Sequence, residues 1–180
     1  VLEQAQLSRL GSGSSCRSFF SPWALWQDDD VTTIDLPYPK LLHQVIVISH
    51  EEKQVSSSEA HRRIKNSTHY ENRTHRAIDN LKVLLLALHN QDWPSAHQIV
   101  WREFQDMHQL FTTCEQPFSY MTEASRTLLH KLQDFWQHHG DGPLITMDAG
   151  PNIHLLYRPD QINLMQQFKH DQLVGNYDVL

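Results

Sequence analysis

Two short loops carry the residue types able to do chemistry. The first, GSGSSCRSFF at residues 11–20, crowds Gly11, Gly13, four serines and Arg17 into ten positions. Glycines let a backbone approach a ligand closely, hydroxyls donate, and a guanidinium grips a carboxylate or phosphate through two parallel bonds. A helix starting after such a loop adds free N–H groups at its N-terminus, and Ser12, Ser14 and Ser15 are candidate caps for it. The loop therefore reads as an anion site, although it lacks the lysine-bearing phosphate-loop spacing. The second is MDAGPN at residues 147–152. Asp148 follows the apolar run LITM directly, so it sits at the end of a strand, partly desolvated and placed for proton transfer. Each loop also has an ordinary reading, as a flexible turn with a helix cap and as a turn aspartate bonded to its own backbone.

The elements that position these loops are legible from periodicity. VLEQAQLSRLG reads as a helix ended by Gly11. Residues 22–27 and 31–36 look extended, and HQVIVIS at 43–49 reads as a buried strand. A polar stretch at 51–58 marks a boundary. Ile78, Leu81, Leu85 and Leu88 keep helical spacing within 68–90. Ile99, Val100, Phe104, Met107 and Phe111 line a second helix, and Met121, Leu128, Leu132 and Phe135 a third, stopped by Gly140. LITM and IHLLY are short strands around the DAGPN turn, residues 160–170 are helical, and NYDVL is a last strand. Strands on both sides of a helical block make an α+β protein.

Bulk properties exclude several classes. With 15 Lys plus Arg against 21 Asp plus Glu, the net charge of −6 argues against a nucleic-acid binder. No basic cluster suits a membrane surface, and no apolar run approaches the roughly 20 residues that span a bilayer. Cys16 and Cys114 are the only cysteines, too few for a disulfide framework, which points to a reduced, cytoplasmic setting. The 13 histidines are scattered without ligand spacing, so no bound metal is expected from side chains alone. His154 reads as strand packing and Trp93, Trp101 and Trp136 as core. Lys53, Arg62 and Arg63 read as a solvated charge cluster. With no Met at its start and no signal-peptide pattern, the chain reads as the later part of a longer polypeptide.

Taken together and in order, the loops resemble one family. GSGSSCRS is similar to the Gly-Ser-Gly-Ser-Ala-Cys-Arg-Ser motif of mevalonate diphosphate decarboxylases, and MDAGPN to their Asp-Ala-Gly-Pro-Asn motif. KQVSSSEA resembles the family's Val-Ser-Ser segment, and TTCEQPFSYM and HHGDGPLITMDAGPN resemble the segments leading to the aspartate. The resemblance implies a GHMP-kinase-like two-domain architecture. Residues 1–50 would close an N-terminal domain related to ribosomal protein S5 domain 2, and 51–180 would form the C-terminal domain. It implies ATP-dependent decarboxylation of mevalonate 5-diphosphate to isopentenyl diphosphate, with ATP and Mg²⁺ as cofactors and a homodimer as the assembly. By match of motif, Asp148 activates the substrate hydroxyl and Arg17 binds its carboxylate. Ser12, Gly13 and Ser14 line substrate and phosphates, and Ser57 contacts the diphosphate. The family's main ATP phosphate loop, and its lysine and tyrosine for the diphosphate, lie ahead of the serine loop. Departures at Ser21-Pro22, Ala60-His61 and Phe111-Thr112-Thr113 bear on substrate choice. They leave open a related kinase or decarboxylase acting on mevalonate or its 5-phosphate.

Overall fold

The run Val45-Ile46-Val47 favours an extended backbone, and Leu42–Val47 lies inside a four-stranded antiparallel sheet. The computed structural model describes residues 1–12, 14–27, 30–51 and 53–180. They divide into two compact units, Val1–Lys40 and Leu41–Leu180.

The first unit begins with helix α1, Leu2–Ser8. A five-residue 3₁₀ turn at Ser15–Phe19 follows, and then an antiparallel pair, β1 (Trp23–Gln27) and β2 (Asp30–Ile34), in register from Trp23 opposite Ile34 to Gln27 opposite Asp30. Ala5, Cys16 and Val31 form its buried centre, with Phe20 and Ala24 packed against them. Trp23 donates from Nε1 to the Tyr38 carbonyl at 2.6 Å.

In the second unit the strand order is β4 (Leu144–Met147), β5 (Ile153–Tyr157), β3 (Leu42–Val47) and β6 (Asp178–Val179). Ile46, Ile145, Ile153, Leu155 and Tyr157 are fully buried. Residues 41–50 stand with the second unit. The physical reason is pairing: β3 bonds to β5 on one side and to the chain's last strand on the other.

Between β3 and β4 run α2 (Ser57–Arg63), α3 (Arg73–His89), α4 (Trp93–Thr112) and α5 (Glu123–His139). The Asp92 side chain caps α4 by accepting from Ser95 N–H, and Pro94 stands in its first turn. Thr122 and Ser125 form a reciprocal capping box on α5, and Gly140, at φ 64°, ends it. The long helix expected from residue 68 begins at Arg73, because Asn72 adopts a left-handed φ of 60°. Helix α2 was not foreseen, although Ser56-x-x-Glu59 is its capping signature: the Ser56 hydroxyl accepts from Glu59 N–H. After β5, α6 (Ile162–Phe168) leads back to β6.

The approach to β4 is locked by side chains. Trp93 and Gln161 both donate to the Gly142 carbonyl, at 2.7 and 2.8 Å, and Trp136 donates to the Pro143 carbonyl at 2.7 Å. The Trp136 indole lies so close over Gly142 that a methyl there would stand 2.7 Å from its Nε1. Trp93 and Trp136 are thus core residues, as expected. Among the described residues, no helix is long and apolar enough to cross a membrane.

Candidate active site

Strand β4 delivers Asp148 to the surface of the second unit, and the loop 148–152 is pinned by side chains from three other segments and by one backbone N–H from a fourth. His108 of α4 bonds through Nε2 to the Asp148 carbonyl at 3.0 Å. Since a carbonyl only accepts, that nitrogen carries the hydrogen. Lys53 donates from Nζ to the Ala149 carbonyl at 2.5 Å. Ser125, in the first turn of α5, donates to the Pro151 carbonyl at 3.0 Å. The Asn152 side-chain oxygen accepts from Ile48 N–H, just beyond β3, at 2.9 Å. A loop satisfied in this way has little freedom, because each lost bond would strand a polar group.

The Asp148 carboxylate is exposed. The partial desolvation expected for it is absent from this unit, because Met147 turns inward and the next side chain points out. It has company nonetheless. A methyl on Gly150 would stand 2.9 Å from Asp148 Oδ1 and 3.1 Å from Lys53 Nζ. The carboxylate and the ammonium therefore flank the same bare Cα. Lys53 also lies over the Tyr120 ring, 5.9 Å from its centroid. Tyr120 donates to the Val55 carbonyl at 2.9 Å, and burial, with the Asp148 charge second, raises the pKa of its hydroxyl. Lys53 is exposed, as expected of a solvated charge, and it is also part of the loop's clamp. No local pattern reveals this, since Lys53 and Ala149 are 96 positions apart.

The flexible ends near Gly150 imply a clean test. Gly150→Ala is expected to leave thermal stability nearly unchanged, because only the tips of Asp148 and Lys53 must move. Displacing those tips is expected to lower any turnover by the full-length protein about 10²-fold. Unchanged turnover would show that their spacing is immaterial.

Two residues beyond Val55, Ser57 opens α2 and is exposed. The cap of this helix is Ser56, so the Ser57 hydroxyl is not committed to that role. Arg62 and Arg63 are engaged rather than free: both pair with Glu59, Arg63 Nε at 2.8 Å from Oε1. The hydrogen bond from Arg63, first among the causes, holds the Glu59 carboxyl below its usual range. These arginines remain the solvated cluster expected of them.

Arg17, Ser12 and Ser14 lie in the first unit and all are exposed. Gly13 lies outside the described residues. Arg17 Nε is 3.4 Å from the Ser14 carbonyl, a long contact that leaves its guanidinium available. The expected helix after the serine loop is only the 3₁₀ turn, and Ser14, at its N-cap, makes no side-chain cap bond. Ser15 does not cap either. It donates to the Ser12 carbonyl at 2.7 Å and lies 2.8 Å from the Ser8 hydroxyl, tying the loop to α1. Hydroxyls and guanidinium, rather than a helix terminus, are what this loop offers an anion.

His154 does more than pack its strand. Its Nδ1 lies 3.1 Å from Nε2 of His43, with the two rings near coplanar at 12°. One nitrogen must donate and the other accept, so the pair disfavours a second charge. Burial, first among the causes, lowers the pKa of His97, His108 and His154 below the ordinary 6.5. For His154 the neighbouring Asp148 charge opposes this and His43 reinforces it. Each folded pKa thus lies below the unfolded one, so the unfolded chain takes up protons first as pH falls. Stability is expected to hold above about pH 6.5 and to decline below it until the folded values are reached. Urea midpoints at pH 7.5 and 5.5 check this, and equal midpoints would contradict it.

Comparison with known proteins bears on the same residues. The family model described as the mevalonate 5-diphosphate decarboxylase C-terminal domain matches residues 44–176. The crystal structure of a mevalonate diphosphate decarboxylase from Legionella pneumophila is 63% identical, with TM-score 0.96, over 99% of this chain and 57% of that one. The structure of MDDEF in complex with MVAPP, AMPPCP and magnesium is 25% identical, with TM-score 0.85, over 98% of this chain and 57% of that one. Diphosphomevalonate decarboxylase of Homo sapiens is 26% identical over 171 residues, 88% of this chain and 43% of its own length. The chain thus spans about half the length of the relatives it matches. The GHMP-kinase-like α+β fold is the one these structures share. With a family model covering most of its length and both signature loops in place, the chain belongs to the mevalonate 5-diphosphate decarboxylase family, of which it carries the C-terminal domain.

Proposed function

We propose that the full-length protein decarboxylates mevalonate 5-diphosphate to isopentenyl diphosphate at the expense of ATP. The observation that carries this reading is the pinned Asp-Ala-Gly-Pro-Asn loop, with an exposed Asp148 and the Lys53 ammonium beside it. ATP with Mg²⁺ supplies the phosphoryl group that makes the tertiary hydroxyl a leaving group. The donor set suits such ligands: an ammonium with one hydrogen on Ala149 keeps others for phosphate oxygens, and a carboxylate suits a proton or a hydrated cation.

Asp148 accepts the proton of the 3-hydroxyl, which is otherwise a poor nucleophile. Lys53 stands by as a fixed positive charge that offsets the negative charge gathering nearby. Arg17 holds the substrate carboxylate through its planar fork, aligning the bond that breaks. As phosphate departs from the neighbouring carbon, the electrons of the carbon–carboxylate bond form the new double bond and CO₂ leaves. Ser12, Gly13 and Ser14 line the substrate, and Ser57 donates to its diphosphate. Phosphoryl transfer itself needs mainly positioning and charge compensation, which such residues provide. A cytoplasmic homodimer fits the family resemblance, and Cys16 and Cys114 are both buried.

The test is product analysis with ATP and Mg²⁺, giving the full-length protein mevalonate, its 5-phosphate or its 5-diphosphate. Isopentenyl diphosphate from the 5-diphosphate alone is the expected result. A phosphorylated acid retaining its carboxylate would overturn it.

A further inference from the structure

The Asp148 carboxylate takes no hydrogen bond from any described residue, so its place is set through its backbone. The bond on that residue's own carbonyl comes from His108. This histidine is 5% exposed and belongs to the 20-residue helix α4. Its ring is boxed edge-on by three others: Phe104 at 6.2 Å, Phe111 at 5.3 Å and Tyr120 at 6.4 Å between centroids. Phe104 and Phe111 sit on the same helix, and Tyr120 is fastened by its hydroxyl to Val55. A buried ring with neighbours on three sides and a bonded nitrogen is restrained, so its Nε2–H keeps its direction. A pinned donor aimed at one carbonyl makes a small displacement at α4 a displacement of the carboxylate. In the sequence His108 is one histidine among 13, inside an apolar helical stripe, and spacing gives it no distinction.

We propose that His108 is the positioning residue of the site, its Nε2–H holding the Asp148 backbone so that the carboxylate meets the substrate hydroxyl. This rests on Asp148 acting as the base. The residue touches no substrate; it acts through Asp148. Such a role separates from simple packing in two ways. First, it moves kcat and not KM, because substrate binding is shared among the serine loop, Arg17 and Ser57, while proton acceptance depends on one group. Second, it is rescued by any side chain that restores the donor at the same reach, and glutamine places an amide N–H where the histidine has Nε2.

The experiment uses the full-length protein with ATP, Mg²⁺ and mevalonate 5-diphosphate, comparing wild type, His108→Leu and His108→Gln. His108→Leu is expected to lose about 10²-fold in kcat with KM within about twofold, as for a displaced reacting group. His108→Gln is expected to recover to within about fivefold of wild type. Amide relaxation by NMR at residues 148–152 is measured in parallel. Greater mobility there in His108→Leu, restored in His108→Gln, is expected whatever the reaction proves to be. Wild-type kcat in both variants, or loop mobility that ignores the substitutions, would overturn the proposal. So would equal losses in both variants, which would mark a packing role. A wild-type protein that releases no CO₂ would sink the decarboxylase reading instead, and the relaxation data would still decide the role of His108.

Discussion

Asp148→Asn in the full-length protein is expected to lower turnover by about 10³-fold, within the span usual for losing a positioned base. Asparagine keeps the shape of aspartate, and the side chain is exposed. The four bonds that pin the loop, from His108, Lys53, Ser125 and to Asn152, do not involve the carboxylate. Folding is therefore expected to be unaffected, with a change in stability within about 0.5 kcal/mol. ADP formation and a thermal melt on the same preparation check both halves. Turnover within about fivefold of wild type would remove Asp148 from the chemistry. A large loss of stability would mean the carboxylate is part of the loop's structure after all.

Arg17→Ala is expected to lower kcat/KM for mevalonate 5-diphosphate by about 10²-fold, since a hydrogen bond to a charged group contributes about 1.5–3 kcal/mol. The structural cost is small: the side chain is exposed and its contact to the Ser14 carbonyl, at 3.4 Å, is long. Arg17→Lys keeps the charge and loses the fork, so it is expected to fall between the two. Steady-state kinetics with varied substrate make the comparison. An alanine variant with wild-type kcat/KM would take the substrate carboxylate elsewhere.

Much of this was legible in the sequence because it is local. The helical stripes from Ile78 to Phe135, the strands around DAGPN and the Gly140 stop follow from the spacing of neighbouring residues, and α3, α4, α5, β4 and β5 lie close to where those patterns put them. The serine loop and the aspartate loop could be recognised because each is a contiguous motif. What escaped was whatever depends on distant segments meeting. Lys53 reaches Ala149 across 96 positions and His108 reaches Asp148 across 40. Neither partner is written near the other, so no local pattern marks either contact. The place of β3 has the same cause: it looks like the end of the preceding segment, and only its pairing with β5 and β6 ties it to the second unit. The exposure of Asp148 and the shortness of the turn at Ser15–Phe19 are also outcomes of packing, which composition does not encode.

In the proposed reaction, phosphoryl transfer is coupled to loss of CO₂. The most direct measurement follows ADP and CO₂ together, from labelled carboxylate, as the full-length protein turns over mevalonate 5-diphosphate with ATP and Mg²⁺. One CO₂ per ADP, with both falling together in Asp148→Asn, is the result expected. ADP accumulating without CO₂ in the wild-type protein would contradict the account and leave a kinase.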